Sequence, residues 1–477
     1  MRWKKNLGQT NAKLAPAKAD SINQGVLDAK GQPVNTPHDL FVDDDVYAEV
    51  FQKGRIEQAI AASIEAIFIL LGESDLILRQ DTVSFDKLED TMVNWNNRIL
   101  GRLINARSLT VATPSEYIRS TAELIRVRWH RRRQHFFISD IETLTGQLGH
   151  ISETAHWLRF LMPHIYASLT HALKASQNQL IRTSKDFRKL LKLIKQNRSV
   201  STEPTPTCKT QLGREISYAQ SVTAKAVHHS RSKYDFNPTL RIELHLIYQI
   251  FTSSWVDMTR PIGHMIKREP SAIGYSDSSL HAAGGYSLDM GFWWYIEWPP
   301  EVQSHTLRFV KNDKHNTLIS INVLEYAAGI INYIASMHFY TTCPNKSDPT
   351  PIVLLYDDNT ASESWLMKGC KSSRIGRGLG RLQCSLMINS PLGLDVAHIT
   401  TDENVIADRI SRFKRETDIL SNISLLKQEF PQLISCRRFH PSVELSSAII
   451  AILLQEKSFD PLIARNRVLE TLGKSTI

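Results

Sequence analysis

The sequence lacks an uninterrupted run of about 18 apolar residues, the length that a membrane-spanning helix requires. Its first residues, MRWKK, lead into a polar segment and not into the apolar core of a secretory signal. Its five cysteines are an odd number without a C-x-x-C pair, which argues against zinc or dithiol redox chemistry. We therefore expect an intracellular protein that is not secreted, has reduced cysteines and has no membrane partner. Whether it resides in the nucleus or the cytoplasm stays open.

The chain carries an excess of basic residues. Its 57 Lys and Arg against 48 Asp and Glu give a net charge of +9 over 477 residues. This balance favours polyanionic partners without separating nucleic acid from an anionic surface. The length allows two to four domains, so one site need not account for the whole chain.

The order of local patterns predicts an α/β (α+β) protein. Short strands come first, helices follow, and after a Ser/Thr/Pro-rich break, SVSTEPTPT, strands alternate with helices. The predicted divisions are a coil or extended arm at 1–37, strands and a hairpin at 38–114, helices at 115–198, a linker at 199–240, a mixed sheet with helices at 241–415, and a helical tail at 416–477.

Two predicted helices are strongly basic. One includes RVRWHRRR, and in the other an apolar stripe lies opposite a row of lysines and arginines. Contact with nucleic acid and a plain solvated face are equally open interpretations of either helix. The candidate contact residues are Arg131, Arg132, Arg133, Lys189 and Lys192.

Four acidic residues adjoin apolar segments that should be buried: Asp277, Glu325, Asp358 and Asp408. Any one of them alone could be a helix cap or a solvated turn. Together, carboxylates at the edge of a core repel one another unless their pKa values rise or cations lie between them. Oxygen ligands suit Mg²⁺ or Mn²⁺, and two such ions are the arrangement of many nucleases.

The segments around these acids resemble the ribonuclease H domain of retroelement reverse transcriptases. They read YSDSSLHAAGGYS, NVLEYAAGI, YDDNTAS and AHITTDENVIADRISR, in the family's order. The last is similar to the pattern His-x-Pro-Gly-x-x-Asn-x-x-Ala-Asp-x-x-Ser-Arg, with Thr400-Thr401 in place of Pro-Gly. The expected fold is a ribonuclease H-like mixed sheet with helices.

The resemblance also implies roles for single residues. Asp277, Glu325, Asp358 and Asp408 would hold two Mg²⁺ or Mn²⁺ ions. His398 would lie in a mobile loop and assist proton transfer or product release. Asn404 would be among the residues that contact the nucleic acid. The implied substrate is the RNA strand of an RNA:DNA hybrid. Its 2′-hydroxyl groups distinguish this strand from DNA. Because side chains alternate along a strand, Asp357 should face away from the metal-binding Asp358.

The N-terminal half resembles the later part of the same family's polymerase. Phe41-Val42-Asp43-Asp44 is similar to the aromatic-x-Asp-Asp turn of the palm, so Asp43 and Asp44 are a residual polymerase motif. A hairpin flanked by Leu100-Gly101 resembles the primer grip, and LTGQLGH resembles a helix of the connection segment. The resemblance is to retroelements of the DIRS and related types. Since too little chain precedes Asp43 to include the first palm aspartate, the missing upstream portion is a potential partner.

The expected function is metal-dependent endonucleolytic cleavage of RNA in RNA:DNA hybrids. RNA-directed DNA polymerase is the enzymatic alternative. It would need fingers and a first palm aspartate from elsewhere. A decayed or co-opted fragment that only binds nucleic acid is the non-enzymatic alternative.

Overall fold

The computed structural model describes residues 38–41, 44–47, 96–99, 101–130, 132–183, 192, 233–266, 268–310, 319–342, 348–413, 415–456 and 459–474. The chain divides into two compact units, Met1–Leu109 and Thr110–Ile477. Within the described ranges, no helix is both long and apolar enough to cross a membrane. The arm predicted for residues 1–37 lies outside the described residues.

The first unit contains the acidic hairpin that the sequence predicts. Strand β1 (His38–Phe41) pairs antiparallel with β2 (Asp44–Tyr47), and Phe41 lies opposite Asp44. The register leaves residues 42 and 43 to connect the strands, and both lie outside the described residues. Asp43 is one of them, so its carboxylate has no described position.

A second hairpin follows in the same unit. Strand β3 (Asn96–Ile99) pairs antiparallel with β4 (Arg102–Asn105), and Gly101 in the connection has φ of 74°. Glycine adopts this left-handed conformation without the steric cost that other residues meet. The hairpin that the sequence predicts has its turn further along the chain, at Asn105 to Ser108. There the Asn105 side chain accepts a hydrogen bond of 2.8 Å from the backbone N–H of Ser108.

The second unit holds most of the secondary structure that the structure describes. Its helices are α1 (Ser115–Arg128), α2 (Ile138–Thr154), α3 (Met162–Thr183), α4 (Pro238–Thr252), α5 (Pro300–Val310), α6 (Ile321–Thr342), α7 (Thr360–Lys368), α8 (Arg374–Met387), α9 (Val405–Ser411), α10 (Ile419–Glu429), α11 (Val443–Leu453) and α12 (Pro461–Lys474). Its strands are β5 (Thr110–Ala112), β6 (His135–Phe136), β7 (Tyr234–Asp235), β8 (Thr259–Pro261), β9 (Ala272–Ser278), β10 (Ala282–Ser287), β11 (Phe292–Glu297), β12 (Ile352–Asp357), β13 (Gly393–His398) and β14 (Arg437–Phe439).

A mixed six-stranded sheet, ordered β13-β12-β9-β10-β11-β14, organises this unit. Strands β9, β10 and β11 form an antiparallel meander. Strand β12 then pairs parallel with β9, and β13 pairs parallel with β12. Parallel pairing requires crossover connections, which α6 to α8 provide. The sheet confirms the predicted mixed α/β class.

Helices pack on both faces of the sheet. Helix α6, which the sequence predicts from Ile321 to Met337, crosses β9 and β10 on one face and is buried from Val323 to Met337. On the other face the short helix α9 packs against β10 and β9. A Cβ atom at Gly284 of β10 would lie 2.3 Å from the side chain of Ile410, so glycine is what permits this close approach.

Two predicted divisions need correction. The linker predicted for 199–240 contains, within its described residues, strand β7, which pairs with β6, and the start of α4, capped by the Asn237 side chain. The tail predicted as helical also contributes β14, which pairs parallel with β11 at the sheet edge. A strand of three residues carries too little alternation to be recognised from sequence.

The helices at 115–183 share a hydrophobic core with the sheet. Buried side chains of α2, such as Leu144 and Leu148, belong to the same continuous cluster as Trp294 of β11 and Leu355 of β12. Leu453 of α11 closes the cluster from the C-terminal side. Segments predicted as separate regions therefore form one packed body.

Candidate metal centre

Three carboxylates from separate segments converge at one end of the sheet. Asp277 lies near the end of β9, Asp358 directly follows β12, and Glu325 lies in the first turns of α6. One oxygen atom from each carboxylate lies within 4.8 Å of the others. Strands β9 and β12 are parallel neighbours with Tyr275 opposite Tyr356, so the residues two positions further along both strands reach the same edge.

Burial makes this cluster costly to ionise. Asp277 is 5% exposed and Glu325 is 4% exposed. Burial, opposed by a hydrogen bond from Ser411 and reinforced by the charge of Asp358, raises the pKa of Asp277 to about 6. Burial and then the charges of Asp277, Asp357 and Asp358 hold the pKa of Glu325 well above its ordinary value. The Glu325 Oε2 atom is buried without a hydrogen-bond partner.

The donor set fits a divalent cation. Three clustered oxygen donors, one with an unsatisfied buried oxygen, are what a hard cation such as Mg²⁺ or Mn²⁺ would satisfy. A cation between the carboxylates would also replace their mutual repulsion by attraction. This arrangement can therefore bind a metal, as the sequence predicts for these three residues.

Helix α9 and the residue before it contact the centre from the other face of the sheet. The Ser411 hydroxyl donates a short hydrogen bond to Oδ2 of Asp277. The side-chain amide of Asn404 donates to the carbonyl of Ser276 at 3.0 Å. Both contacts tie the last acidic motif to β9, directly beside the first carboxylate.

Asp408 lies at the margin of the centre and not in the group of three. Its Oδ1 atom accepts hydrogen bonds from Nε and Nη2 of Arg412, at 2.8 and 2.6 Å, and its Oδ2 atom accepts one from Nε at 2.8 Å. Asp408 lies in α9 and Arg412 directly follows it. The spacing of four residues, one helical turn, brings the two side chains together. Asp408 still acts electrostatically on Asp277. The fourth predicted ligand is thus paired with a cation of the chain itself.

The two adjacent aspartates after β12 have different surroundings. Asp358 joins the three-carboxylate group. Asp357 is buried and accepts hydrogen bonds from the backbone N–H of Asn359 at 2.8 Å and from the hydroxyl of Ser362 at 2.6 Å. Burial raises the pKa of Asp357 to about 7. Its two oxygens hold the start of α7, which is a structural role.

His398 is the last residue of β13 and is exposed. It lies opposite Asp357 in the strand register. The expectation placed it in a loop, whereas the loop begins one residue later. There Thr400 donates hydrogen bonds to the Glu403 carboxylate from its backbone N–H at 3.2 Å and from its hydroxyl at 2.7 Å, so the departure from Pro-Gly still gives a closed turn.

The residues predicted to contact nucleic acid differ in exposure and in their internal hydrogen bonds. Arg132 and Lys192 are exposed, whereas Arg131 and Lys189 lie outside the described residues. The Arg133 side chain instead forms hydrogen bonds within the protein. Its guanidinium donates to Asp140 at 2.5 Å, to the carbonyl of His135 at 2.6 Å and to the carbonyl of Arg128 at 2.7 Å.

The burial of Asn404 corrects another expectation. The side chain is completely buried, so it has no surface for nucleic acid in this structure. Its amide instead fixes the loop before α9 to the backbone of β9. The residue type fits both roles, because an amide side chain bonds equally well to a ligand and to a buried carbonyl.

Sequence reasoning did not assign roles to Ser411 and Arg412. Both stand in the motif Ala-Asp-x-x-Ser-Arg, which was a usable signal. The spacing of four residues between Asp408 and Arg412 indicates a helical ion pair. The bond from Ser411 to Asp277 spans 134 residues of sequence, and no local pattern encodes such a contact.

No model of a known protein family matches this chain, and no curated protein matches it. The chemical capacity of the centre therefore rests on its donors and their surroundings. These are two buried carboxylates and one half-buried carboxylate at a sheet end, Ser411, which bonds to Asp277, and Arg412, which pairs with Asp408.

Proposed function

We propose that this chain is the C-terminal part of a retroelement reverse transcriptase, of the DIRS type or a related one, and that it cleaves the RNA strand of RNA:DNA hybrids with Mg²⁺ or Mn²⁺. The observation that carries the proposal is the convergence of Asp277, Glu325 and Asp358, residues 33 to 81 positions apart, to within 4.8 Å. Their sequence contexts are the acidic motifs that resemble the family's ribonuclease H domain.

The chemistry follows from the donor set. Asp277, Glu325 and Asp358 would hold the divalent ions, which supply an activated water and stabilise the leaving oxygen of a phosphodiester. Ser411 orients Asp277 by donating to its Oδ2 atom. The imidazole of His398, exposed at the end of β13, is available to carry a proton to or from solvent.

The substrate class is supported by charge and by the resemblance. The net charge of +9 favours a polyanion, and exposed Arg132 and Lys192 are suited to phosphate contacts. Recognition of 2′-hydroxyl groups would restrict cleavage to the RNA strand of a hybrid. Among the residues that the structure describes, this is the one group of metal-binding residue types that meets the geometry of a metal centre.

Cleavage of a labelled hybrid tests the proposal. The full chain should cleave the RNA strand with Mg²⁺ or Mn²⁺ and should do nothing in EDTA. Asp277→Asn keeps the size and the acceptor for Ser411 but removes a ligand charge, so it should abolish cleavage. Asp402→Asn is the matched control, because Asp402 is exposed in the loop before α9.

Three results would overturn the assignment. Cleavage that persists in Asp277→Asn or in EDTA would show that another protein or another site is responsible. Primer extension on an RNA template by this chain alone would favour the polymerase alternative. Tight hybrid binding without any cleavage would favour the nucleic-acid-binding fragment.

A further inference from the structure

Among the residues that the structure describes, the last part of β12 carries side chains on one sheet face that are only half-buried. The side chains of Val353 and Leu355 on β12 point into the main core and are fully buried. Side chains alternate along a strand, so Leu354 and Tyr356 point to the opposite face. Both are only half-buried, and neither is part of the core on that face, which α9 and α10 build over β10 and β11.

A row of tyrosines crosses this face. Tyr286 of β10, Tyr275 of β9 and Tyr356 of β12 lie opposite one another in the strand register. The Tyr275 and Tyr286 rings are 4.9 Å apart at 9°, and the Tyr275 and Tyr356 rings are 5.3 Å apart at 21°. These are stacked pairs at about the spacing of the strands themselves. The rings therefore stand upright on the sheet, one for each strand.

The row stops at the edge strand. The residue opposite Tyr356 on β13 is Ala397, whose methyl group does not continue the stack. The Tyr275 ring stacks on one face of the Tyr356 ring, and among the described residues no second aromatic ring stacks on its other face, on the side of Ala397. The next place in the row, about 4.8 Å further, has the dimensions for one more flat ring.

This place adjoins the metal centre. Asp277 and Asp358 follow Tyr275 and Tyr356 by two residues and therefore share their face, about 7 Å along the strands.

We propose that Tyr356 and Ala397 form a stacking slot for one unpaired nucleobase of the nucleic-acid substrate, beside the carboxylates. A base inside a duplex has both faces covered by its neighbours, so the slot would accept a base from a single-stranded overhang or a base that has left the stack. This inference rests on the proposed function and narrows it. The preferred substrate would be a hybrid with an unpaired nucleotide next to the cleaved bond.

The test uses the full chain and hybrids that carry a fluorescent adenine analogue, 2-aminopurine, either in a three-nucleotide overhang or within the duplex. Its emission falls when it stacks on an aromatic ring. Measurements in EDTA keep the nucleic acid intact, and a distant label reports binding by anisotropy. We expect quenching in the overhang and none beyond the duplex value inside the hybrid.

Variants identify the slot. Tyr356→Phe keeps the ring and should keep the quenching. Tyr356→Ala should remove the quenching and weaken binding of the overhang hybrid about tenfold, within the range of a base–aromatic stack. Ala397→Leu should have the same effect by filling the slot while Tyr356 remains. Leu354→Ala, on the same face but outside the row, is the matched control and should change neither readout.

The outcomes separate this inference from the function on which it rests. Binding and cleavage of the hybrid without overhang quenching, or quenching that survives both Tyr356→Ala and Ala397→Leu in folded protein, would overturn the slot and leave the nuclease proposal standing. Failure to bind or cleave any hybrid would overturn both. Loss of quenching in both variants, with blunt hybrid still cleaved, would support the slot.

Discussion

The stability of the metal-free protein should fall as the pH rises, and Glu325→Gln should remove much of that fall. Burial first, and then the neighbouring carboxylates, hold the pKa of Glu325 well above its ordinary 4.5. A group with a raised folded-state pKa stabilises the protein fully below its unfolded pKa. That stability is lost as the pH rises through the folded value.

The size of the effect follows from one proton. At any pH between its unfolded and folded pKa values, Glu325 keeps its proton in the folded protein and has lost it in the unfolded chain. The free energy of unfolding then falls by about 1.4 kcal/mol for each pH unit, so roughly 2 kcal/mol is the upper limit between pH 6.5 and 8. Glutamine does not titrate, so the variant should be less sensitive to pH by up to that amount.

Buried histidines contribute with the opposite sign. Burial lowers the pKa of His164 to about 3 and that of His156 well below 6.5, and it also lowers the pKa values of His264 and His338, so the protein gains stability as the histidines of the unfolded chain lose their protons around pH 6.5. This contribution is the same in the wild type and in Glu325→Gln, so the comparison of the two proteins cancels it. Urea denaturation in EDTA at pH 6.5 and 8 measures the difference, and Glu301→Gln, an exposed glutamate, is the control.

Added Mg²⁺ should reduce the pH dependence of the wild type, because a cation favours the ionised carboxylates. Equal pH dependence in the wild type and in Glu325→Gln, with Glu301→Gln also unchanged, would refute the reasoning. It would mean that the buried carboxylates are solvated or paired in solution, and the argument for a cation site would lose its electrostatic basis.

Three further predictions concern single side chains. In a cleavage assay, Asp358→Asn should abolish hybrid cleavage. Asp357→Asn should keep the cleavage rate within about tenfold of the wild type, a barrier change of roughly 1.4 kcal/mol. The reverse result would move the metal ligand by one residue. Ser411→Ala should remove the hydroxyl that lowers the pKa of the β9 carboxylate, and therefore shift the acid limb of the pH–rate profile upward; an unshifted limb would contradict this. Arg132→Ala should flatten the salt dependence of hybrid binding, whereas Arg133→Ala should chiefly lower the melting temperature; equal effects on binding would contradict the internal role of Arg133.

Parts of the fold and of the centre are predictable because their signals are local. The helix from Ile321 is apolar on every side, which indicates a helix inside a core, and the structure buries it accordingly. The hairpin at residues 38–47 follows from two short apolar strands around an acidic turn. Asp277, Glu325 and Asp358 each adjoin an apolar segment, and the structure brings them together.

The remaining features depend on contacts between distant residues. Strand β14 exists because the exposed edge of β11 pairs with it, and its three residues carry no pattern of their own. The internal role of Arg133 depends on Asp140 and on two carbonyl groups, none of which the basic run RVRWHRRR reveals. Composition identifies Arg133 as a cation, whereas only its partners distinguish a structural cation from one available to phosphate.

The chain itself reduces the repulsion among the carboxylates of the centre in three ways. Raised pKa values favour the protonated form of Glu325, and that of Asp277 in mildly acidic solution. Ser411 donates to the charged form of Asp277, and Arg412 neutralises Asp408 on the adjoining helix. Each of these features stabilises the clustered carboxylates. A divalent ion would have to displace the protons that the raised pKa values retain. Metal affinity should therefore increase with pH, because the folded scaffold already holds the ligands in place and only their protons compete.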